Sequence, residues 1–234
     1  MSAVFRKELR QLFHSMIGYV YLSAFAAACG YYFLTLCLLP GNGDVRMYAS
    51  SVFSLMVLLI PMITMRTFSE EKKAKTEMLL IGSPLSVPAI VLGKFFAVFL
   101  FFLISLLFPV LHSAYLSYKG AFQPSLFLCN GIGLVTAGAA FVSVGLLISS
   151  LTENQVVSCV ATYCIILFFW LIGYASGYVA NPNLQSVLHA LSLSEQFSSF
   201  AMGLLDLSAF VYYFGIAITA LLLCMLVCGH FREN

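Results

Sequence analysis

Residues 89–115 read AIVLGKFFAVFLFFLISLLFPVLHSAY, and beyond Lys94 this stretch contains no Asp, Glu, Lys or Arg. Wound as a helix, it is long enough to cross about 30 Å of hydrocarbon. Its apolar side chains point all round such a helix, leaving no polar face to meet water. Five more runs of the same kind flank it, at 17–39, 48–65, 126–151, 156–178 and 207–229. The 234-residue chain is 62% hydrophobic and 9% charged, whereas a soluble domain carries about a quarter charged residues. Lipid must therefore be the solvent for most of the surface. The expected fold is an all-α integral membrane protein of six transmembrane helices, a single domain over residues 1–234. A net charge of +2 is too small to call for a nucleic-acid partner.

The connections between runs fix the orientation. Pro40-Gly41-Asn42-Gly43-Asp44 ends the first run, and Lys119-Gly120 with Pro124 separates the third from the fourth. With six spans, Arg6, Lys7, Arg10, Arg66, Lys72, Lys73, Lys75, Lys94 and Arg232 fall on one side, and only Arg46 and Lys119 on the other. The positive-inside rule then places both termini in the cytoplasm. Ala26-Ala27-Ala28-Cys29 imitates a lipoprotein cleavage site, but apolar sequence continues to Leu39 and Ala26 stands where Leu is usual. It reads as part of a span. The seven cysteines lie in apolar runs without a CxxC pair or a His at ligand spacing, so they read as small hydrophobes and no metal site is expected.

Two polar segments carry the mechanism. In residues 1–16, Phe5, Leu9, Leu12, Phe13 and Met16 form one helical stripe, and Arg6, Lys7, Arg10 and Gln11 form the opposite face. That pattern predicts a short interfacial helix, apolar face in lipid and basic face toward anionic headgroups. In the loop 66–86, Thr67 and Glu70 fit a capping box. Glu71 with Lys75, and Lys73 with Glu77, stand at i,i+4, and Gly82-Ser83-Pro84 stops the element. The loop predicts a capped helix over 69–81, more than a hairpin needs, and hence a docking surface for a cytosolic partner.

The run Thr64-Met65-Arg66-Thr67-Phe68-Ser69-Glu70-Glu71-Lys72-Lys73, then Glu77-Met78-Leu79-Leu80, Ser83-Pro84-Leu85-Ser86 and Leu92-Gly93-Lys94-Phe95, resembles the ABC-2 type exporter permeases. It is especially similar to the short permease subunit of gliding-motility-associated ABC transporters. Phe5, Arg6, Lys7, Glu8, Leu9 and Arg10, with Gly18-Tyr19, resemble that family's elbow helix, here about 2–15. Ser149-Ser150-Leu151 with Thr152, Glu153, Asn154 and Gln155 resembles its second cytoplasmic turn. Glu195-Gln196-Phe197 with Gly203-Leu204-Leu205-Asp206 resembles its outer re-entrant connection, about 180–206. Two departures stand out: Met16 follows Ser15 where many members have Pro, and Lys75-Thr76 precede Glu77 where Gly and Thr are common.

The resemblance implies the permease subunit of an exporter in a bacterial inner membrane. A second copy or a paralogue would complete the path, and a separate cytosolic ABC ATPase would bind ATP and Mg, so that the chain itself holds no cofactor. The coupling helix would be 69–81, with Arg66, Phe68, Ser69, Glu70, Glu71, Thr76, Glu77, Leu79 and Leu80 as its ATPase-coupling surface.

The residues bear on the alternatives as well. No GxxxxGK[ST] phosphate loop occurs, and the span centres lack the ionisable residues that gradient-driven carriers use. Energy is therefore expected from outside the chain, while a channel or an assembly protein without ATPase coupling stays open as the alternative. Glu70-Glu71 lies in a loop rather than a span, Tyr174 stands where a rhomboid-type Ser176 would need Gly, and no HExxH exists, so catalytic residues are expected to be absent. Gly131, Gly138 and Gly145 at seven-residue spacing, and Gly173 with Gly177, predict close helix packing. Pro61 and Pro109 predict kinks.

Overall fold

In the computed structural model, residues 2–40, 45–75, 86–118, 124–176 and 181–233 are described. Helix α1 (Ser2–His14) is followed by α2 (Met16–Phe33), which continues through a π-helical turn, Leu34–Leu38. Then come α3 (Val45–Thr64), the short α4 (Ser69–Lys73), α5 (Val87–Ser105), α6 (Leu107–Tyr118) and α7 (Pro124–Leu151). Helices α8 (Gln155–Ser176), α9 (Pro182–Leu191), α10 (Leu193–Ala201) and α11 (Leu207–Glu233) complete the chain. Six segments are long and apolar enough to span a membrane, with bounds close to those expected. The fold is all-α, with no strand among the described residues.

Span three is α5 and α6 together, interrupted at Leu106. Pro109 has no N–H to offer the carbonyl of Ser105, four residues back, so the ladder breaks where the expected kink lies. Pro61, by contrast, stays inside one continuous helix.

Helix α7 is the axis of the bundle. It packs against α3, α5, α8, α10 and α11. The expected glycine stripe is partly responsible: a Cβ at Gly138 would overlap the Phe102 ring, and one at Gly145 would overlap Thr64. Small residues let these backbones approach where lipid gives no hydrophobic drive to associate. Gly131 differs, with nothing within 4 Å of a Cβ built there. Gly173 meets Ser192 and Ser194 of this same chain, while Gly177 lies outside the described residues.

The connection between spans five and six forms two helices. Phe197 of α10 stacks on Phe53 at 4.3 Å between ring centroids, and Phe200 lies against Gly133. Tyr212 and Tyr213 donate hydroxyl hydrogen bonds to the carbonyls of Leu191 and Leu193, at 2.6 and 2.7 Å. Helix α10 is thus anchored in the bundle. By contrast, α2, α8 and α11 expose most of their apolar surface, including Leu171, Phe214 and Leu222. Such faces are stable in lipid.

The first helix departs from expectation. Of its apolar stripe, predicted to lie in lipid, Leu9, Leu12 and Phe13 pack on the core, Phe13 edge-on to Phe101 of α5 at 5.1 Å, while Met16 stays exposed. The turn into α2 brings the two together. Ser15 caps α2 by accepting the Gly18 N–H at 3.0 Å. The Leu12 carbonyl presses so closely on Gly18 that any side chain there would collide with it. Packing these three side chains against protein adds van der Waals contact and fixes the turn.

Candidate functional site at the junction of α1, α4 and α5

The loop after span two is held by tertiary contacts. Expected capping-box partners Thr67 and Glu70 are both engaged elsewhere: the Thr67 hydroxyl donates to the Thr64 carbonyl, and Glu70 forms a two-pronged pair with Arg66 at 2.8 Å on each prong. The N-cap position is Phe68, whose side chain caps nothing. Ser149, near the end of α7, takes over the capping role. Its hydroxyl accepts the N–H groups of Phe68 and Ser69 at 3.0 and 3.2 Å and donates to the Met65 carbonyl at 3.1 Å. One side chain of a distant span thereby satisfies the orphan donors that open any helix.

Ser149→Ala removes this acceptor and leaves two buried N–H groups without it. The expected cost is about 1–3 kcal/mol. Amide hydrogen exchange at Phe68 and Ser69 should accelerate at least about tenfold, as a loss of about 1.4 kcal/mol or more requires, while the six spans stay protected. Unchanged exchange at both amides would show that the loop is capped in some other way.

Helix α4 ends after Lys73. Lys75 adopts a left-handed backbone (φ 54°) and returns its N–H to the Lys72 carbonyl at 3.0 Å. The continuous helix expected over 69–81 is therefore interrupted at Lys75, because a left-handed residue cannot continue a right-handed helix. Thr76, Glu77, Leu79 and Leu80 lie outside the described residues. The expected Glu71–Lys75 pair is replaced as well. Glu71 bonds Lys7 of α1 at 2.7 Å with one oxygen and Lys94 of α5 at 2.7 Å with the other.

Lys94 is the centre of the site. Its side chain is 0% exposed, and its ammonium meets three acceptors: Glu8 of α1 at 2.8 Å, Glu71, and the backbone carbonyl of Thr67. An ammonium has three N–H donors, so all are used. The Phe68 ring lies 4.7 Å from the nitrogen and adds a cation–π contact. A buried charge survives only with this kind of complete pairing. The outcome is mechanical: α1, the α4 loop and α5 share one buried cation.

The structure thus gathers Lys7, Glu8, Arg66, Phe68, Ser69, Glu70 and Glu71 at one end of the bundle, with Gln11 reaching Glu70 at 3.5 Å. Phe5 is half-buried and Leu9 packs on the core, whereas Arg6 and Arg10 are exposed. In the turn after α7, Thr152 bonds back to the Ile148 carbonyl, Glu153 is exposed, and Asn154 caps α8 through the Val156 N–H at 3.0 Å. Gln155 begins α8. Two central residues were not among the expected site residues. In the sequence Lys94 reads as a cytoplasmic-side charge and as part of the Leu92-Gly93-Lys94-Phe95 motif, and Ser149 as part of another resembling motif.

Of the described acidic groups, Glu8 and Glu71 face inward. Glu8 is buried, the Glu71 side chain is 14% exposed, and Glu70 is engaged by Arg66. Among the described residues, Arg6, Lys7, Arg10, Lys73 and Lys75 are the exposed charged residues of α1 and the loop. Among the described residues, a partner docking there meets mainly basic side chains. Glu71, one of the charges expected to face that partner, spends both carboxylate oxygens on Lys7 and Lys94.

Residues 39–230, most of the chain, match the family model described as ABC-2 family transporter protein. No curated protein matches the chain.

Proposed function

Since the chain belongs to the ABC-2 family of transporter proteins, and so is a multi-pass permease subunit of an ABC transporter, we propose that the α1–α4–α5 junction is where an ATPase drives it. A separate cytosolic ABC ATPase, holding ATP and Mg, docks on α1, on the loop around α4 (about 69–81), and on the turn formed by Thr152, Glu153, Asn154 and Gln155. Two permeases, either two copies or this chain with a paralogue, form the export path in a bacterial inner membrane with both termini cytoplasmic. Within the family, the motifs it resembles support grouping it with the short permease of gliding-motility-associated transporters. The connection 180–206 lies on the outer side, and the exposed Arg6 and Arg10 sit at headgroup level.

The observation that carries this reading is the shared Lys94 cation. A docking helix that hung free would absorb a push by bending. Here Glu71 of α4 and Glu8 of α1 grip one ammonium on α5, so displacement of either surface element is delivered to span three. The exposed basic set further implies an acidic ATPase groove, with attachment that weakens as salt rises.

The test is purification of the tagged chain from its native membrane in gentle detergent, with mass spectrometry and an ATP-hydrolysis assay. A Walker-motif ATPase should co-purify, and Lys73→Glu with Lys75→Glu should cut its recovery at least about tenfold, in keeping with the few kcal/mol that like-charge juxtaposition costs. Membrane insertion should be unchanged. A preparation without ATPase under several mild conditions would favour a channel or an assembly protein.

A further inference from the structure

With Val4 buried and Leu9, Leu12 and Phe13 packed on the core, the apolar surface that would hold α1 in lipid is largely spent within the protein. What the helix turns outward is a basic groove. Lys7, Arg10, Gln11 and His14 line it, and their spacing of i, i+3, i+4 and i+7 sets them on one helical face. The groove runs along about 10 Å of helix. Its volume is about 470 Å³, and among the described residues no carboxylate lines it.

The neighbouring acids do not neutralise this groove. Glu8 and Glu71 are met by Lys94 and Lys7, and Glu70 by Arg66. Arg10 is exposed beside carboxylates that already have their cations. Lys7 spends one N–H on Glu71 at 2.7 Å, and an ammonium has three, so two remain. His14 Nδ1 donates to the Arg10 carbonyl at 2.9 Å, because a carbonyl only accepts, and Nε2 is its second polar atom. Gln11 gives an N–H to Glu70 at 3.5 Å, and its side-chain oxygen can accept a hydroxyl.

Two residues past His14 the surface turns apolar. Met16 is 86% exposed, Tyr19 63% and Val20 51%, all in the first turns of α2. A cationic groove continued by an apolar face matches an amphiphile. A soluble phosphate would use only the first half. We propose that Lys7, Arg10, Gln11 and His14 bind an anionic phospholipid, its phosphodiester held between Lys7 and Arg10 and its chains laid along Met16, Tyr19 and Val20. The planar Arg fork suits phosphate oxygens, and Gln11 suits a hydroxylated headgroup. A zwitterionic headgroup brings its own cation into a cationic groove and is disfavoured. Because Lys7 also holds Glu71, the lipid fastens the α1–α4–α5 junction to the bilayer by charge, in place of the apolar insertion that α1 lacks. That the lipid belongs to the cytoplasmic leaflet rests on the orientation given under Proposed function; the site itself does not.

The experiment is photolabelling of the full chain, with whatever subunits co-purify, in phosphatidylcholine nanodiscs. The probe is a trace of phosphatidylglycerol carrying a diazirine near the top of one chain, and adducts are mapped by mass spectrometry. Labelling should saturate and concentrate on Met16, Tyr19 and Val20. Unlabelled phosphatidylglycerol should displace the probe at a mole fraction at least about tenfold below that of phosphatidylethanolamine, as two cations facing one anionic headgroup require. Inorganic phosphate, at ionic strength matched with chloride, should not displace it. A nanodisc offers the lipid in both leaflets, so the result is independent of orientation and of ATPase coupling.

Arg10→Gln should weaken the preference for phosphatidylglycerol about fivefold, the weight of one cation at an anionic headgroup. Arg6→Gln removes an exposed cation outside the groove and should change it less than about twofold, since a distant surface charge is screened. Neither side chain belongs to the buried junction, so the thermal midpoint should hold in both. Equal losses from the two variants would mean diffuse surface charge and overturn the site. Displacement by inorganic phosphate would overturn the lipid as its ligand. Adducts that vanish whenever an ATPase co-purifies would give the groove to that partner and overturn the proposal as well.

Discussion

Lys94→Met will cost about 3–5 kcal/mol of stability, the usual penalty for removing one partner of a buried ion pair, and transport will be lost. Methionine fills nearly the same volume, so the effect is one of charge rather than packing. Without the ammonium, Glu8 keeps a buried carboxylate, its side chain only 6% exposed, with its cation gone. Glu71 suffers less because Lys7 still holds one of its oxygens at 2.7 Å. The double variant Lys94→Met, Glu8→Gln removes the stranded charge and should recover most of the lost thermal stability. Transport should stay low in the double variant, because the shared cation that ties α4 to span three is gone and α1 is held to α5 by apolar packing alone. Thermal midpoint and transport-linked ATP hydrolysis, measured on the same preparations, separate the two effects. If Lys94→Met kept wild-type stability, the ammonium would not be the keystone described above. If the double variant regained full transport, the junction would be structural only.

Much of the architecture is written in the sequence in terms that need no tertiary knowledge. Six apolar runs must be spans because lipid leaves a backbone few other ways to satisfy itself. The loop after span two also announces itself, as a dense charge cluster between two neutral stretches. What the charges do there is not local information. Thr67 and Glu70 have the spacing of a capping box, yet Ser149, eighty residues downstream of Ser69, reaches the same N–H groups, and Arg66 takes the glutamate. A serine in an apolar helix reads the same whether it bonds its own turn or a neighbour. Lys94 was legible as a charge but not as a buried one, since counts of Lys and Arg record the side of the membrane and not the depth within protein. The stripe of α1 was legible as apolar, but whether lipid or protein would cover it depended on α5.

Gly145→Ala is the most economical way to disturb the junction without touching a charge. Gly145 lies one helical turn before Ser149 on α7, and a Cβ there would overlap Oγ1, Cβ and Cγ2 of Thr64 at the end of α3. Thr64 is itself fully buried and donates its hydroxyl to the Ile60 carbonyl at 3.2 Å, so it cannot rotate away freely. The added methyl must push α3 from α7. Four residues past Thr64 the chain enters the segment whose N–H groups Ser149 holds, so the displacement falls on the cap. Overpacking of this kind costs about 1–3 kcal/mol. The variant should insert normally, show faster amide exchange at Phe68 and Ser69, and hydrolyse ATP with reduced transport per ATP. Thr64→Gly removes all three overlapped side-chain atoms and, combined with Gly145→Ala, should restore coupling. A double-mutant cycle should then give an interaction of about 0.5–3 kcal/mol in the stabilising direction, the range for residues in contact. Simple additivity of the two changes would mean that the α3–α7 contact does not set the loop, and Ser149 alone would have to carry that role.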